Sequence, residues 1–232
     1  DLPSSLTREV AVPLEAGDAQ GTGILRFSAV RAVRDRMREQ LATASGPTIV
    51  IGGDCGVSWG AVAHAAAPDV AVVWFDAHPD LCTPDSSPSG AFAGMVLATL
   101  VTDGVIAGER VVLAGTRSWD DAEEEFAEQH GVRSVGATLF AADELIAAVS
   151  ATGATRVYVH VDLDVLDPGG IDGLLSPVPF GLTASDLVAA IKELVARFPL
   201  AGATIASFAP DSSEAAVDDS PTILRLVAAL RS

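Results

Sequence analysis

The sequence predicts an α/β domain, a parallel sheet with helices on both faces. Strand-like apolar runs alternate with helix-periodic segments along the chain, the order that builds βαβ units. The runs are continuous, as in Val70-Ala71-Val72-Val73-Trp74-Phe75, which marks strands buried on both faces. Finally, 232 residues at 49% apolar and 19% charged suffice for one full core. With no internal repeat and no linker in view, residues 1–232 are expected to form a single domain.

Arg8 to Leu14 reads as a short strand, followed by a glycine-rich loop from Gly17 to Gly23. Val30, Val33, Met37 and Leu41 recur at helical spacing and predict a helix over 28–43. Pro47 to Ile51 is a strand that stops at Gly52-Gly53, and Val57 to Ala66 is a helix of small residues. The strand of Val70–Phe75 comes next, then a loop from Leu81 to Ser89 rich in Pro, Ser and Asp. Helix 91–102, strand 110–115, helix 120–129 and a weak strand 132–135 follow. Helix 141–151, strand 156–163, helix 183–197, strand 202–208 and a last helix over 220–230 complete the alternation. Asp120 is placed to cap the helix that the acidic run 120–125 opens.

Composition narrows the function. A formal net charge of −17 repels nucleic-acid phosphates and argues against such a partner. It suits cationic ligands, and equally a solvated acidic surface. Two cysteines, Cys55 and Cys82, are too few for a disulfide framework, so a reducing, cytoplasmic setting is expected. No signal peptide and no apolar span of membrane length is visible. His64 and His130 read as a helix-surface residue and a helix C-terminal residue.

Two acidic clusters end buried strands. The first is Asp76-Ala77-His78-Pro79-Asp80, directly after Phe75. The second is His160-Val161-Asp162-Leu163-Asp164, with Asp167-Pro168 beyond it. Period-2 alternation puts His160, Asp162 and Asp164 on one face, while Asp167 is expected to cap the following turn. A lone D-x-D is ordinarily a turn or a solvated strand end. Two such clusters ending strands of one sheet are different, because open α/β sheets bind ligands beyond their carboxyl edges. Carboxylates gathered there need positive charge between them, and an oxygen-rich set suits hard or borderline divalent metals.

These residues resemble the arginase/agmatinase (ureohydrolase) family, whose ligand motifs look like G-G-D-H-S, D-A-H-x-D and S-x-D-x-D-x-x-D-P. Here they read Gly52-Gly53-Asp54-Cys55-Gly56, Asp76-Ala77-His78-Pro79-Asp80 and His160 to Pro168, in family order. The resemblance implies a three-layer α/β/α sandwich around a mostly parallel, eight-stranded sheet. As the chain begins at Asp1 without a methionine, the first strand is expected to be missing from it. It also implies two manganese ions. Cys55, Asp76, Asp80 and Asp162 would hold one, and Asp76, His78, Asp162 and Asp164 the other, with zinc or iron favoured to the extent that Cys55 is a ligand. Such a pair lowers the pKa of a bridging water and presents hydroxide to a guanidino carbon, giving urea or a urea derivative and an amine. The expected partner is a small guanidino-type substrate, and the family assembles as homo-oligomers.

The chain departs from the pattern at several points. Cys55 stands for a histidine ligand, Ala93 for the proton-shuttling histidine, Ala91 for a substrate-contacting asparagine and Ser207 for the glutamate that pairs with guanidinium. Cys82 replaces an asparagine that holds the amino-acid end of the substrate. Ser89, Asp120 and Glu123 remain as candidate substrate contacts. His160 and Asp80 are the candidate catalytic residues, His160 because it shares a strand face with the ligands and could supply a proton. It could equally orient a carboxylate. Losing a general acid commonly costs about 10²–10⁴-fold in rate, so efficient hydrolysis of arginine is not expected. A modified substrate such as an N-hydroxyguanidine, bound neutral, tolerates the missing glutamate. The alternative is a relative that keeps its metals without turnover.

Overall fold

A computed structural model describes residues 6–138 and 140–232; residues 1–5 of the domain expected over 1–232 lie outside it. Six strands form one sheet: β1 (Ile49–Ile51), β2 (Val70–Phe75), β3 (Val111–Ala114), β4 (Arg133–Val135), β5 (Arg156–Asp162) and β6 (Leu200–Ala206). Every pairing is parallel, in the order β1-β6-β5-β2-β3-β4. The chain steps outward from β2 to β4, then returns to lay β5 on the other side of β2 and β6 beyond it. The direction of winding therefore reverses between β2 and β5, and that is where an open sheet leaves a crevice at its carboxyl edge.

Among the described residues seven α-helices cover the faces: α1 (Phe27–Leu41), α2 (Ser58–Ala65), α3 (Val96–Thr102), α4 (Asp121–His130), α5 (Ala142–Ser150), α6 (Ala184–Arg197) and α7 (Ser213–Leu230). Ala71, Val73 and Phe75 of β2 face one core, filled by Leu145 of α5, Leu187 and Ile191 of α6 and Leu226 of α7. Val70, Val72 and Trp74 face the other, filled by Met37 of α1, Trp59 of α2, Leu97 of α3 and Ala127 of α4. Alternate residues of β2 thus enter opposite cores, which is why its run is apolar throughout. The result is the expected three-layer sandwich. No helix is long and apolar enough to cross a membrane among the described residues.

Three expectations need correction. Residues 8–14 form no strand; most are exposed, and Arg36 Nη1 of α1 donates to Ala11 O at 2.7 Å. Their alternation is short and Pro13 interrupts it; Val10 packs against the core that Trp74 enters, but the other residues do not follow it in. The described residues therefore carry six strands where seven runs were expected from a family sheet of eight. The helix expected over 91–102 opens as a single 3-10 turn, Ala93–Met95, before α3 begins. The last helix starts at Ser213 instead of 220, because Ser212 caps it (Oγ accepting from Ala215 N, 3.1 Å) and Pro221 is accommodated inside.

One side chain clamps the carboxyl edge. Arg117, just past β3, donates to the carbonyls of Asp164 (2.8 Å), Val178 (2.7 Å), Gly115 (3.1 Å), Val165 (3.3 Å) and Pro179 (3.0 Å). It ties the segment after β5 to the 177–181 loop. Asp167 tightens the same loop by accepting from Gly169, Phe180 and Gly181 N, the capping role its sequence position predicts. Arg117→Ala strands several partly buried acceptors and is expected to lower unfolding free energy by about 2–4 kcal/mol. Arg117→Lys should recover little of this, since an ammonium cannot present the planar fork. A denaturant titration in which Arg117→Ala stayed within about 0.5 kcal/mol of the wild type would show the clamp to be idle.

Candidate metal centre

The carboxyl ends of β1, β2, β5 and β6 deliver groups to the same spot. β1 is followed by Gly52 (φ 111°) and Gly53 (φ 71°), backbone that glycine alone enters without strain. A Cβ on Gly53 would lie 2.5 Å from Val57 Cγ1. This turn drops Cys55 into a 3-10 turn, Cys55–Val57, leading into α2. Asp76 follows the last residue of β2. β5 carries His160 and Asp162 on one face, and the turn Leu163–Val165 brings in Asp164. Ser207 follows β6. Because Trp74 of β2 is in register with His160 of β5, the two acidic clusters meet.

They meet closely. Asp76, Asp80, Asp162 and Asp164 are 1%, 4%, 4% and 2% exposed. Cys55 Sγ lies 2.7 Å from Asp162 Oδ2 and 3.6 Å from Asp76 Oδ2. His78 Nδ1 lies 3.0 Å from Asp164 Oδ2 and 3.5 Å from Asp76 Oδ1. Ligand atoms of Cys55, Asp76, Asp80 and His160 are all within 4.8 Å of one another, as are those of Asp76, His78 and Asp164. Asp76 belongs to both groups. The carboxylates are held by specific donors: Trp74 Nε1 (3.2 Å) and His78 N (2.7 Å) on Asp76, Ala77 N (3.0 Å) on Asp164, Asp164 N (2.9 Å) and Ser207 Oγ (2.5 Å) on Asp162. Two buried atoms of the cluster have no hydrogen-bond partner among the described residues, Asp80 Oδ2 and His160 Nε2. Asp80 (φ 54°) and Ser207 (φ 64°) hold left-handed backbone, a strain that persists where surrounding structure over-determines a site.

Crowding shows in the proton affinities. Burial, then the charges of Asp162 and Asp164, raises Asp76 well above the usual carboxylate range. Burial, then Asp76 and Asp162, does the same to Asp80. Asp162 is pushed up to about 7, first by burial and then by Asp164. Burial and the three neighbouring aspartates raise the Cys55 thiol. His78 moves the other way in charge: its hydrogen bond to Asp164, then that to Asp76, raises it to about 10. Without ions, protons supply the positive charge that the carboxylates need. His160, buried away from water, is lowered well below 6.5.

The remaining candidates sit apart from this cluster. Ser89 is exposed and its Oγ accepts from Ala91 N at 3.1 Å. Asp120 is exposed at the start of α4, whereas Glu123 is buried, accepting from Leu81 N (3.0 Å) and Asp120 N (3.2 Å). Glu123 thereby ties α4 to the loop after β2. Cys82, Asp120 and Glu123 bring ligand atoms within 4.8 Å of one another, and burial with the Glu123 charge pushes the Cys82 thiol up to about 12. Sequence reasoning missed two supporting residues. Ser58 Oγ lies 2.8 Å from His160 Nδ1, and the Trp74 indole stacks on that ring. Nothing local flags Ser58, which reaches His160 only through the fold.

Comparison with known proteins agrees with the geometry. The profile of the Arginase family matches residues 8–230. The chain is 32% identical over 206 residues to an N(omega)-hydroxy-L-arginine amidinohydrolase of Streptomyces lavendulae, covering 85% of this chain and 73% of that protein. An arginase of Staphylococcus aureus is 27% identical over 197 residues, covering 75% of this chain and 65% of its own length. The crystal structure of Entamoeba histolytica arginase with L-ornithine superposes with a TM-score of 0.84 at 26% identity, over 96% of this chain and 83% of that one. Motifs, sheet and match together place this chain in the arginase family.

Proposed function

We propose that the chain is a binuclear-metal hydrolase of the ureohydrolase type, cleaving a C–N bond of a guanidino compound with manganese as its ions. The observation that carries this reading is the sharing of Asp76 between two groups of converging donors, with two buried ligand atoms left unpartnered. Those features fit a pair of divalent cations. Cys55, Asp76, Asp80 and Asp162 would hold one ion, and Asp76, His78, Asp162 and Asp164 the other. Bound there, the ions supply a nucleophile from water at neutral pH.

The protein's own part is orientation and exclusion. Backbone amides of Ala77, His78 and Asp164 and the Trp74 indole fix the carboxylates before any ion arrives. The Asp80 carboxylate, carried on strained backbone, points an unpartnered oxygen into the site. Asp120 and Ser89 stand as the substrate's polar contacts, while Glu123, occupied by the amides of Leu81 and Asp120, holds the loop after β2 in place for them. Where the family motif has a glutamate for guanidinium, Ser207 offers a hydroxyl already given to Asp162. A fully charged guanidinium would go unpaired there, whereas an N-hydroxyguanidino group is less basic and can enter neutral. Its products would be a urea derivative and an amine. The name of the Streptomyces lavendulae relative supports this choice of substrate. The alanine at position 93 favours a second reading, in which ions bind without turnover.

With saturating Mn²⁺, kcat/KM for N-hydroxy-L-arginine should exceed that for L-arginine by at least about tenfold. Arginine turned over as fast would contradict the substrate assignment. No turnover of arginine, N-hydroxyarginine, agmatine, guanidinobutyrate or formiminoglutamate, with two ions bound, would leave the non-catalytic reading.

A pH dependence follows from the crowding. Asp76, Asp80, Asp162 and His78 each hold a proton more tightly folded than unfolded, so each contributes stability that is lost as pH rises. His160 acts oppositely, but only below its unfolded value of about 6.5. Between pH 6.5 and 8 these groups therefore act in one direction. Thermal melts in EDTA should show Tm falling across that window, and Mn²⁺ should raise Tm more at pH 8 than at 6.5, where protons compete with it. A Tm in EDTA that climbs from 6.5 to 8 would refute the picture.

A further inference from the structure

His160 occupies β5 two residues before Asp162, where the family motif has a serine, while Cys55 stands where that motif has a histidine. The chain has lost an imidazole from the turn after β1 and gained one on the ligand-bearing face of β5. The new ring is 0% exposed. It stacks on the Trp74 indole at 3.5 Å between centroids with 13° between planes. Nδ1 is 2.8 Å from Ser58 Oγ. Nε2 has no hydrogen-bond partner among the described residues and sits 3.9 Å from Asp76 Oδ2. The ring's ligand atom lies within 4.8 Å of those of Cys55, Asp76 and Asp80.

Resting on the binuclear reading above, we propose that His160 Nε2 is a direct ligand of the ion held by Cys55, Asp76 and Asp80. It supplies the nitrogen donor that the turn after β1 no longer provides. Atoms sharing an ion at about 2.1 Å lie roughly 3 to 4.2 Å apart, from right-angled to opposite placement, so the Asp76 separation is already a ligand–ligand distance. In the ligating tautomer Ser58 Oγ would accept the Nδ1 proton, leaving the Nε2 lone pair facing the carboxylates; ligating histidines are oriented in this way. Ser58 is the first residue of α2, placed by the same Gly52-Gly53 turn that places Cys55. Trp74 fixes both partners at once, its face under the imidazole and its Nε1 on Asp76 Oδ2 at 3.2 Å. A proton relay suits the ring less well, since it has no exposed edge through which to exchange with solvent.

The chain has four histidines, so the imidazole nitrogens of ¹⁵N-histidine-labelled protein can be followed singly by NMR. Titration with Zn²⁺ should move the side-chain nitrogens of His78 and His160, and ¹¹³Cd²⁺ should split the His160 Nε2 signal by one-bond coupling. His160→Asn identifies the signal by its loss. Calorimetry on that variant should find one of two Zn²⁺ sites weakened at least about tenfold and the other unchanged. If His160→Asn does not fold, the wild-type cadmium splitting decides alone. Two ions bound with His160 Nε2 neither shifted nor split would overturn the ligand assignment and leave the binuclear reading standing. No ion bound at all would overturn both.

Discussion

The structure depends on mutual repulsion among four buried carboxylates at the carboxyl edge of the sheet. Two unit charges 4 Å apart interact by about 4 kcal/mol at an effective dielectric of 20, so the set cannot all be charged without cations between them. Everything nearby serves to hold that unfavourable arrangement. The β2–β5 register brings the two acidic clusters together. The Gly-Gly turn adds a thiol, and Arg117 pins the backbone that carries Asp164. Without ions, the same residues take up protons, as the raised Asp162 and His78 show.

Much of this was legible because the chemistry is written in short segments at strand ends. Asp76-Ala77-His78-Pro79-Asp80 and Asp162-Leu163-Asp164 each follow a run too apolar to be anything but a buried strand, and parallel strands share one carboxyl edge. What sequence could not give was contact made through the third dimension. Ser58 meets His160 from an element 102 positions away, and Ser207 meets Asp162 across two strands. Glu123 reads as a substrate contact in sequence, yet in the fold its carboxylate is occupied by two backbone amides. The strand expected at 8–14 failed for a related reason: its alternation is real, but only Val10 is drawn against a core, and no sheet edge takes up the rest.

The departures from the family pattern fall on both sides of the site: Cys55 and His160 lie among the groups that would face the ions, and the rest lie among those that would face the substrate. Asp76, His78, Asp80, Asp162 and Asp164, which face the proposed ions, keep the acidic and imidazole residues of the family motifs. Ala91, Ala93, Cys82 and Ser207 fall among the residues that would face the substrate, and each replaces a polar or charged group with a smaller or neutral one. Charge is thus kept where cations must be held and removed where a guanidinium would have been recognised. That division argues for altered specificity more than for decay.

The most direct test of the central claim is ion stoichiometry. Equilibrium dialysis against Mn²⁺ at pH 8 should give two ions per chain, and Asp76→Asn, which alters the carboxylate common to both groups, should weaken both. A protein that bound none, or whose binding ignored Asp76, would show that its carboxylates are reconciled by protons alone.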